Sequence, residues 1–474
     1  MQLQRNAISA LEATLISVAG TAPANTLATS MSALSVAVGL SGPGALLFGA
    51  IPMFGIALAY FYLNAWRSDA GAAYSWVGRA MNPTLGFFAG WAMLVAQVLF
   101  MVVGSLPVAS ATLDLVSPRL AQSVGAVTAV GFVWFLLVVG IVMLGIKTTA
   151  QVQRALTYIQ IGGLLFFAGA AIVKGLGHPA NHPSWTWWSP MGSHGLHSFI
   201  AGALVTMFFY WGWEVSASLS EETVDRNRTP GLSGLLGMGI ILALFLLTAV
   251  GVQLLMSEKA IADSSSDLLV ALANAAVPRP WSDLAVIVVI ISAVSSLETT
   301  LVMGSRMVYA MGRDGVLDER FARLNRRFLT PWNATLAIGF VSMVLFIFAS
   351  SSPSVNQILS DSINAIGVEV AIFYGLSAVA CATYYATADR GDATLFWLRR
   401  AWPFASAAFV FAVAIGQVAT AGWRANATVF GLLLAGAIPM LYYRRAYSSD
   451  FYSEPKERAP SLVRGNVCPT RTET

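Results

Sequence analysis

Residues 17–26 read SVAGTAPANT and lie in the middle of an apolar stretch that runs from residue 7 to residue 34. Pro23 has no amide hydrogen, and its ring opposes the carbonyl group four residues earlier, so helical hydrogen bonding near Ala19 is interrupted. If the stretch crosses a membrane, the freed backbone groups cannot face lipid and must face protein or a polar cavity. The sequence therefore predicts a membrane helix that is broken near its middle.

The composition around this stretch is that of an integral membrane protein. Of 474 residues, 57% are hydrophobic and 11% are charged, and the mean hydropathy is +0.69. Soluble domains are typically about 45–50% apolar and about 25% charged. Uncharged runs such as residues 125–146 and 231–256 are long enough to cross a hydrocarbon core of about 30 Å as helices. No sustained alternation of apolar and polar residues favours a barrel, so we predict an all-α membrane protein.

The predicted transmembrane helices number about twelve and share a long apolar core. They lie at residues 7–34, 45–64, 84–112, 122–145, 153–174, 196–219, 231–256, 282–312, 332–350, 361–387, 401–421 and 426–443. With these spans, 22 of the 27 Lys and Arg residues fall in the termini and loops of one side or at the adjoining span ends, and the other 5 fall in the loops and span ends of the opposite side. The positive-inside rule therefore predicts that both termini are cytoplasmic, in a plasma (inner) membrane.

A second interruption is predicted in the sixth span, where residues 208–214 read FFYWGWE. If the fold consists of two five-helix halves, spans one and six occupy equivalent positions. Paired broken helices in two inverted repeats point to a substrate site near the middle of the membrane. Free amides of the half-helices suit a carboxylate, and free carbonyls suit an ammonium group or a cation. A single kink is more often a packing feature, but two at the repeat spacing favour a site.

Four further segments carry a family resemblance. They are DAGAAYSWV at residues 69–77, GFFAGW at 86–91, LSEET at 219–223 and SRMVYAMGRDG at 305–315. In this order and at these positions, they resemble the signature segments of the amino acid, polyamine and organocation (APC) transporter superfamily. The last segment is the most specific, and the resemblance extends from the first span to about residue 390.

The resemblance implies a LeuT-like 5+5 inverted-repeat fold with two additional C-terminal helices, and secondary active transport of amino acids or related amines by alternating access. The transmembrane domain would be residues 1–446, with repeats at about 7–174 and 196–387 and extra helices at about 401–443. Residues 447–474 are polar and charged, and are predicted to be a disordered cytoplasmic tail. The implied substrate-binding residues are Thr21, Ala22, Pro23, Ala24, Phe209, Tyr210, Trp211 and Gly212.

The sequence departs from the family pattern at two points. Many members have a glycine-rich break in span one, where this chain has Gly20-Thr21-Ala22-Pro23. Proton-coupled relatives often carry a lysine in span five, where this chain has Gln160. Because a glutamine does not titrate, coupling would use another proton carrier or sodium, or the protein would be an exchanger.

Acidic residues at membrane depth are the main candidates for coupling, because a charge there is costly. Glu298 lies near the centre of span eight, and Glu214 and Glu369 lie in spans six and ten. The alternative for each is a structural carboxylate held by hydroxyl and amide groups. Glu298 is the strongest of the three, and the ion-coupling candidates are Glu298, Ser295, Ser296 and Thr299.

Other functional classes receive less support from the sequence. The loop at residues 175–197 carries His178, His182, His194 and His197 among tryptophans, without a tight metal-ligand spacing. We therefore predict no metal site and no cofactor, and the catalytic motifs of membrane enzymes are also missing. The alternatives to an amino acid permease are a polyamine or organic amine exchanger and a non-transporting receptor with a transporter fold. The expected partners are a small amino compound, a coupling proton or sodium ion and the lipid bilayer, but no nucleic acid.

Overall fold

The structure is a computed structural model that describes residues 2–190, 195–264, 267–349, 355–388, 392–446 and 449–460. Its first half contains α1 (Ala10–Gly20), α2 (Pro23–Val38), α3 (Gly42–Trp66), α4 (Ala73–Ala80), α5 (Pro83–Asp114), α6 (Pro118–Ala121), α7 (Val124–Met143) and α8 (Ile146–Gly177). Its second half contains α9 (Leu196–Phe209), α10 (Val215–Ser218), α11 (Thr229–Leu255), α12 (Glu258–Asp263), α13 (Leu268–Ala276), α14 (Leu284–Arg313), α15 (Trp332–Ala349) and α16 (Val355–Tyr384). The C-terminal helices are α17 (Ala393–Phe396), α18 (Trp402–Thr420), α19 (Trp423–Ala435) and α20 (Ala437–Ala446).

The helices confirm an all-α integral membrane protein. Within the described residues, 9 candidate spans are long and apolar enough to cross a membrane. The first of them, Ala10–Trp66, contains the break after α1 and the turn between α2 and α3. Two further apolar helices, Ser198–Phe209 and Trp332–Phe348, are shorter. The total of twelve spans and the division into two repeats stay predictions.

The first and the last described residues lie on the same face of the helical bundle. Leu3 packs with Tyr309 and Leu324, and the hydroxyl of Ser449 donates a hydrogen bond of 2.5 Å to the carbonyl oxygen of Asp314. We call this side the terminal face. Because α5 begins beside α4 on this face and rises over 32 residues, its last residue, Asp114, lies on the opposite face. That the terminal face is the cytoplasmic one stays a prediction.

Burial separates central helices from peripheral ones. The most apolar windows of α5 and of the span Trp281–Arg313 are 83% and 78% buried inside the protein, whereas that of α7 is 28% buried and that of the last span 17%. Large apolar side chains such as Val133 and Leu137 on α7 are exposed, as expected for a surface that lipid covers. The helices that follow residue 392 therefore lie at the periphery, and the site has to be sought between the central ones.

The start of α1 is fixed by its own sequence. The hydroxyl of Ser9 accepts a hydrogen bond from the amide of Glu12, and the Glu12 carboxylate accepts one of 2.9 Å from the amide of Ser9, which is a capping box. Arg154 on α8 lies 3.6 Å from the same carboxylate. Glu12 therefore serves the helix terminus, and α1 enters the bundle in a defined direction.

The expectation of a disordered tail from residue 447 does not hold for residues 449–460. Phe451 is buried and stacks on Tyr74, with ring centroids 4.6 Å apart, and the amide of Ala459 donates to the carbonyl oxygen of Tyr384. The stacking of Phe451 on Tyr74 compensates for the chain entropy that is lost when this segment becomes ordered. Polar residues alone would not compensate for that loss. Residues 447–448 and 461–474 lie outside the described residues, as does His194.

Candidate functional site

The first helix is interrupted where the sequence predicts it. α1 ends at Gly20, and α2 begins at Pro23 after Ala22, which adopts the left-handed conformation with φ of 47°. No side chain caps α2 at Ala22. The hydroxyl of Thr26 donates a hydrogen bond of 2.8 Å to the carbonyl oxygen of Thr21, which satisfies one of the groups that the break frees. The break therefore places a helix C-terminus and a helix N-terminus side by side.

The second interruption follows Phe209, where α9 ends, and extends to Glu214, after which α10 begins. Gly212 has φ of 108°, a conformation that side-chain-bearing residues rarely adopt. Its amide donates a hydrogen bond of 3.0 Å to the Glu214 carboxylate, which also accepts one of 2.5 Å from the Tyr374 hydroxyl. The buried Glu214 thus ties the unwound segment to α16.

The two breaks cross each other at their glycines. A Cβ atom at Gly20 would lie 2.1 Å from the carbonyl oxygen of Gly212, and one at Gly212 would lie 2.3 Å from the carbonyl oxygen of Gly20. Both distances are far shorter than van der Waals contact, so only glycine fits at either position. The sequence predicts each break separately, and the fold brings them into direct backbone contact.

A cavity of about 640 Å³ begins at this crossing and extends to the opposite face. That volume suits a small organic molecule. Of the predicted site residues, the ones that line it are Thr21, Ala22, Trp211, Gly212 and Thr299. The predicted residues outside the lining are Pro23, Ala24, Phe209, Tyr210, Ser295, Ser296 and Glu298. Tyr210 instead donates a hydrogen bond of 2.7 Å to the carbonyl oxygen of Leu46. The structure thus brings together about half of the predicted set.

Several lining residues were missed by the sequence analysis. Asn25 lines the cavity and is 9% exposed, and its Oδ1 atom has no hydrogen-bond partner among the described residues. Phe100 packs edge-on against Trp211, with centroids 5.1 Å apart. At the outer end stand Asp114 and Asp267, both exposed. Asn25 lies three residues after Ala22, on the same helical face, and this spacing could have identified it.

The ion-coupling candidates lie behind the first break, between α8 and α14. The Gln153 amide donates hydrogen bonds of 2.7 Å to the Glu298 carboxylate and 2.8 Å to the carbonyl oxygen of Ser295. The Ser295 hydroxyl donates to the Gln153 side-chain oxygen. The hydroxyls of Ser296 and Thr299 donate to carbonyl oxygens of their own helix. Glu298 is fully buried and retains one oxygen without a partner among the described residues.

Gln160 belongs to a neighbouring chain of hydrogen bonds that reaches the first break. Its side-chain oxygen accepts a hydrogen bond of 2.7 Å from the Ser292 hydroxyl, and that hydroxyl accepts one of 3.2 Å from the amide of Asn25. The partner of Glu298 is therefore Gln153, which lies about two helical turns before Gln160 on α8. The third buried acid, Glu369 on α16, has no hydrogen-bond partner for either oxygen among the described residues.

Comparison with known proteins connects this geometry to a family. The family model described as Amino acid permease matches residues 8–438. This chain belongs to the amino acid permease family. The permease is therefore a transporter, and the resemblance found in its sequence segments is confirmed.

Curated relatives cover about two thirds of the permease. It is 26% identical over 341 residues to the branched-chain amino acid permease BcaP of Lactococcus lactis subsp. cremoris, a match that covers 66% of this chain and 70% of the relative. It is 24% identical to the low-affinity putrescine importer PlaP of Escherichia coli, covering 65% and 67%. With the vacuolar cationic amino acid transporter 2 of Arabidopsis thaliana it shares 26% identity, over 66% of this chain but 51% of the relative.

The fold of the permease resembles that of solved transporters. The crystal structure of the Eremococcus coleocola manganese transporter superposes with a TM-score of 0.60 at 13% sequence identity, and the match covers 92% of this chain and 94% of that one. At this identity the likeness concerns the fold alone. It confirms the LeuT-like architecture expected from the sequence.

Ion pairs close the path between the crossing of the breaks and the terminal face of the permease. Arg306 on α14 donates hydrogen bonds of 3.0 and 3.1 Å to the two carboxylate oxygens of Glu222, and both side chains are buried. Arg313 donates one of 2.7 Å to Glu221 and one of 3.1 Å to Asp69. These pairs join the segment after the second break to α14, so the cavity has its opening on the opposite face.

Asp69 is the best-connected acid of this closure. Burial would raise the pKa of Asp69, but the charge of Arg313, the amide of Gly71 and the charge of Arg67 outweigh that effect and lower the pKa below its ordinary value. The Gly71 amide donates a hydrogen bond of 2.8 Å to its carboxylate. Asp69 therefore stays ionised, and its negative charge holds the arginines of the terminal face in place.

Proposed function

We propose that the permease is a secondary active transporter of amino acids or related amines, which enter the cavity from the exterior and leave into the cytoplasm by alternating access. The observation that carries the proposal is the crossing of two broken helices at Gly20 and Gly212, at the inner end of a cavity with one open end. Ion pairs on the terminal face close the other end. With cytoplasmic termini, this arrangement is an outward-facing state.

The polar groups at the inner end of the cavity suit a zwitterionic head group. At the N-terminus of α2, Pro23 has no amide hydrogen and the Asn25 amide is bonded to Ser292, so the Ala24 amide and the positive helix dipole are what this terminus offers to a carboxylate. The Thr21 hydroxyl has no partner among the described residues, and the Asn25 side-chain oxygen is also free to accept a hydrogen bond from an ammonium group. Trp211 and Phe100 supply an aromatic wall. Relatives named for branched-chain amino acids, cationic amino acids and putrescine support this class of substrate.

For coupling, we assign the ion site to Glu298 and its neighbours on α14. Glu298 is fully buried in the membrane span, one of its oxygens is free, and Gln153 fixes the other. Gln160 cannot titrate, so among the polar groups behind the first break Glu298 is the one that can take up a proton. A sodium ion held by Glu298 and the hydroxyls of Ser296 and Thr299 is the alternative.

Substrate binding is tested with purified permease in liposomes and a panel of labelled amino acids and polyamines in counterflow. Thr21→Val keeps the side-chain volume and removes the hydroxyl. We expect its half-saturation concentration to rise about two- to tenfold, the effect of one hydrogen bond. The matched control is Thr248→Val, since the Thr248 hydroxyl bonds its own helix away from the cavity. Equal half-saturation concentrations in both variants would show that Thr21 does not bind the substrate. Absence of counterflow for every compound in the panel would refute transport.

Coupling is tested by separating accumulation from exchange. If Glu298 carries the proton, Glu298→Gln abolishes accumulation driven by a proton gradient but leaves exchange largely intact, because exchange need not return an empty carrier. The comparison variant is Glu369→Gln, which replaces another buried acid of the membrane region. Intact, pH-dependent accumulation in Glu298→Gln would exclude it as the proton carrier. Accumulation that requires sodium instead of a proton gradient would favour the alternative.

A further inference from the structure

The charge of the cavity has one sign. Among the described residues that line it, the ionisable ones are Asp114 and Asp267, at its outer end. Partial burial and the nearby charge of Asp114 raise the pKa of Asp267 above its ordinary value, so the two carboxylates lie within electrostatic reach of each other. A cleft with low-dielectric walls and charges of one sign concentrates ligands of the opposite sign. The mouth of this cavity therefore attracts cations.

The inner end of the cavity has unpartnered hydrogen-bond acceptors. The Asn25 side-chain oxygen and the Thr21 hydroxyl oxygen are unpartnered among the described residues, and these side chains are 9% and 3% exposed. α1 and α9 end there, at Gly20 and Phe209, so the negative ends of two helix dipoles point toward the crossing. Unpartnered buried acceptors cost free energy until a donor reaches them. An ammonium group supplies such donors.

We propose that the substrates of this permease carry a net positive charge, and that Asp114 and Asp267 form an outer docking point through which they enter. The inference rests on the proposed transport function and adds the class of substrate. Asp114 lies about four helical turns beyond Phe100 on α5, which is about 20 Å along the axis. A cationic amino acid is too short to touch both levels at once. The acids therefore act on association, before the substrate reaches the crossing.

The test measures binding to the purified permease for lysine and for 6-hydroxynorleucine, which has the same length and a neutral end. We expect lysine to associate about tenfold faster at low ionic strength. The difference should shrink as salt shortens the Debye length from about 30 Å at 0.01 M to about 3 Å at 1 M. In the double variant Asp114→Asn/Asp267→Asn the two compounds should associate equally fast. Asp263→Asn is the control, because Asp263 is exposed on α12 and does not line the cavity.

Two outcomes would overturn the charge inference and leave transport itself intact. The first is a wild-type protein that binds both compounds equally at low salt. The second is a preference for lysine that the double variant keeps. In either case counterflow of a neutral amino acid that Gly212→Ala abolishes would still support the proposed function. Absence of binding and counterflow for every compound would refute the function as well.

A separate set of contacts concerns residues 449–460, which we call the tail segment. The ring of Phe451 covers Gly78 on α4, where a Cβ atom would lie 2.4 Å from its Cζ atom. The same ring stacks on Tyr74. Glu454 forms an ion pair with Arg79 of α4, and Arg79 in turn lies 3.6 Å from Asp314. The tail segment is therefore anchored beside the ion pairs that close the terminal face.

The tail segment also reaches α3 and α16. The indole nitrogen of Trp66, the last residue of α3, donates a hydrogen bond of 3.1 Å to Glu457, which lies 3.6 Å from Arg67. The Ala459 amide donates one of 3.0 Å to the carbonyl oxygen of Tyr384, the last residue of α16. The tail segment thus connects the ends of α3 and α16 with α4 and with the residue that follows α14. If these ends separate when the terminal face opens, the contacts of the tail segment have to break.

We infer that the tail segment is a brace that holds the terminal face closed and has to detach before that face opens. The test follows maleimide labelling of Ala310→Cys, a buried position on α14 at this face, in nanodiscs with Cys381 and Cys468 replaced by alanine. Phe451→Ala should raise the labelling rate about three- to tenfold, the equilibrium shift that one aromatic pair supplies.

Controls separate release of the brace from general loosening. Deletion of residues 461–474 keeps the tail segment and should leave the labelling rate of Ala310→Cys unchanged. Ala249→Cys, a buried position on α11 far from the terminal face, should be labelled no faster in Phe451→Ala. A rise at both cysteine positions, or at neither, would overturn the inference.

Discussion

The contact between the two breaks can be tested with one methyl group. At Gly212 an added Cβ atom lies 2.3 Å from the carbonyl oxygen of Gly20, and Cβ contacts under 3.0 Å essentially do not occur. The two backbones must therefore move apart by at least about 0.7 Å, the difference between these distances. Gly212 also has φ of 108°. The substitution Gly212→Ala thus combines a steric clash with backbone strain.

The size of the effect follows from these two contributions. Overpacking a tight contact costs about 1–3 kcal/mol, and holding alanine in a sparsely populated backbone conformation costs about 1–3 kcal/mol. The sum of about 2–6 kcal/mol destabilises the conformation in which the two breaks touch. Even the lower limit corresponds to a factor of about 30 in an equilibrium constant. If the breaks separate instead, the inner end of the cavity loses its shape.

We therefore expect the initial uptake rate of Gly212→Ala in liposomes to fall at least about 30-fold at equal reconstituted protein. Gly20→Ala isolates the steric part, because Gly20 is helical and its Cβ atom would lie 2.1 Å from the carbonyl oxygen of Gly212. The matched control is Gly239→Ala on α11, where an added Cβ atom meets no atom within 4 Å. Uptake by Gly212→Ala within about twofold of the control would refute the crossing as the core of the site.

Three further predictions concern topology and the terminal face. Tags at both termini should report cytoplasm and a tag in the loop at residues 175–190 the exterior, and an external C-terminus would contradict the span assignment. Arg306→Ala leaves Glu222 buried without its partner and should destabilise the protein by about 3–5 kcal/mol in denaturant unfolding, whereas a loss below about 1 kcal/mol would mark the pair as weakly coupled to folding. Arg313 helps to lower the folded-state pKa of Asp69, so the ionised carboxylate stabilises the folded protein at pH values above its unfolded-state pKa. This stabilisation is lost as the pH falls from the unfolded-state pKa through the folded-state pKa. In thermal unfolding in detergent, the wild type should therefore lose stability below about pH 4, and Asp69→Asn should lose less. Equal losses in the two proteins would contradict this role of Asp69.

Local features of the chain made the two breaks predictable. Pro23 cannot donate a helical hydrogen bond, and Gly212 adopts a backbone conformation that other residues avoid, so both interruptions follow from covalent structure at the site. The family segments follow from local strings in the same way. What the sequence could not provide is the distance between Gly20 and Gly212, because 191 residues separate them and only packing brings them together.

The composition of the cavity also depended on packing. Pro23 and Ala24 belong to the quoted stretch but do not line the cavity, whereas Asn25 does, because the helix that starts at Pro23 turns about 100° per residue. Asp114 and Asp267 are unremarkable loop-side acids in the sequence, and they meet at the mouth of the cavity through the fold. Their proposed role in attracting the substrate follows from this shared position in the fold and not from the sequence.

Hydropathy, charge bias and proline chemistry act over a few residues, so the helical membrane class, the family and the positions of the breaks could be read from the sequence alone. The tertiary structure decided which groups face one another. Glu298 meets Gln153, and Phe451 anchors a polar tail on Tyr74. Such pairings join residues far apart in the chain, and their free energy depends on burial and geometry that no local pattern encodes.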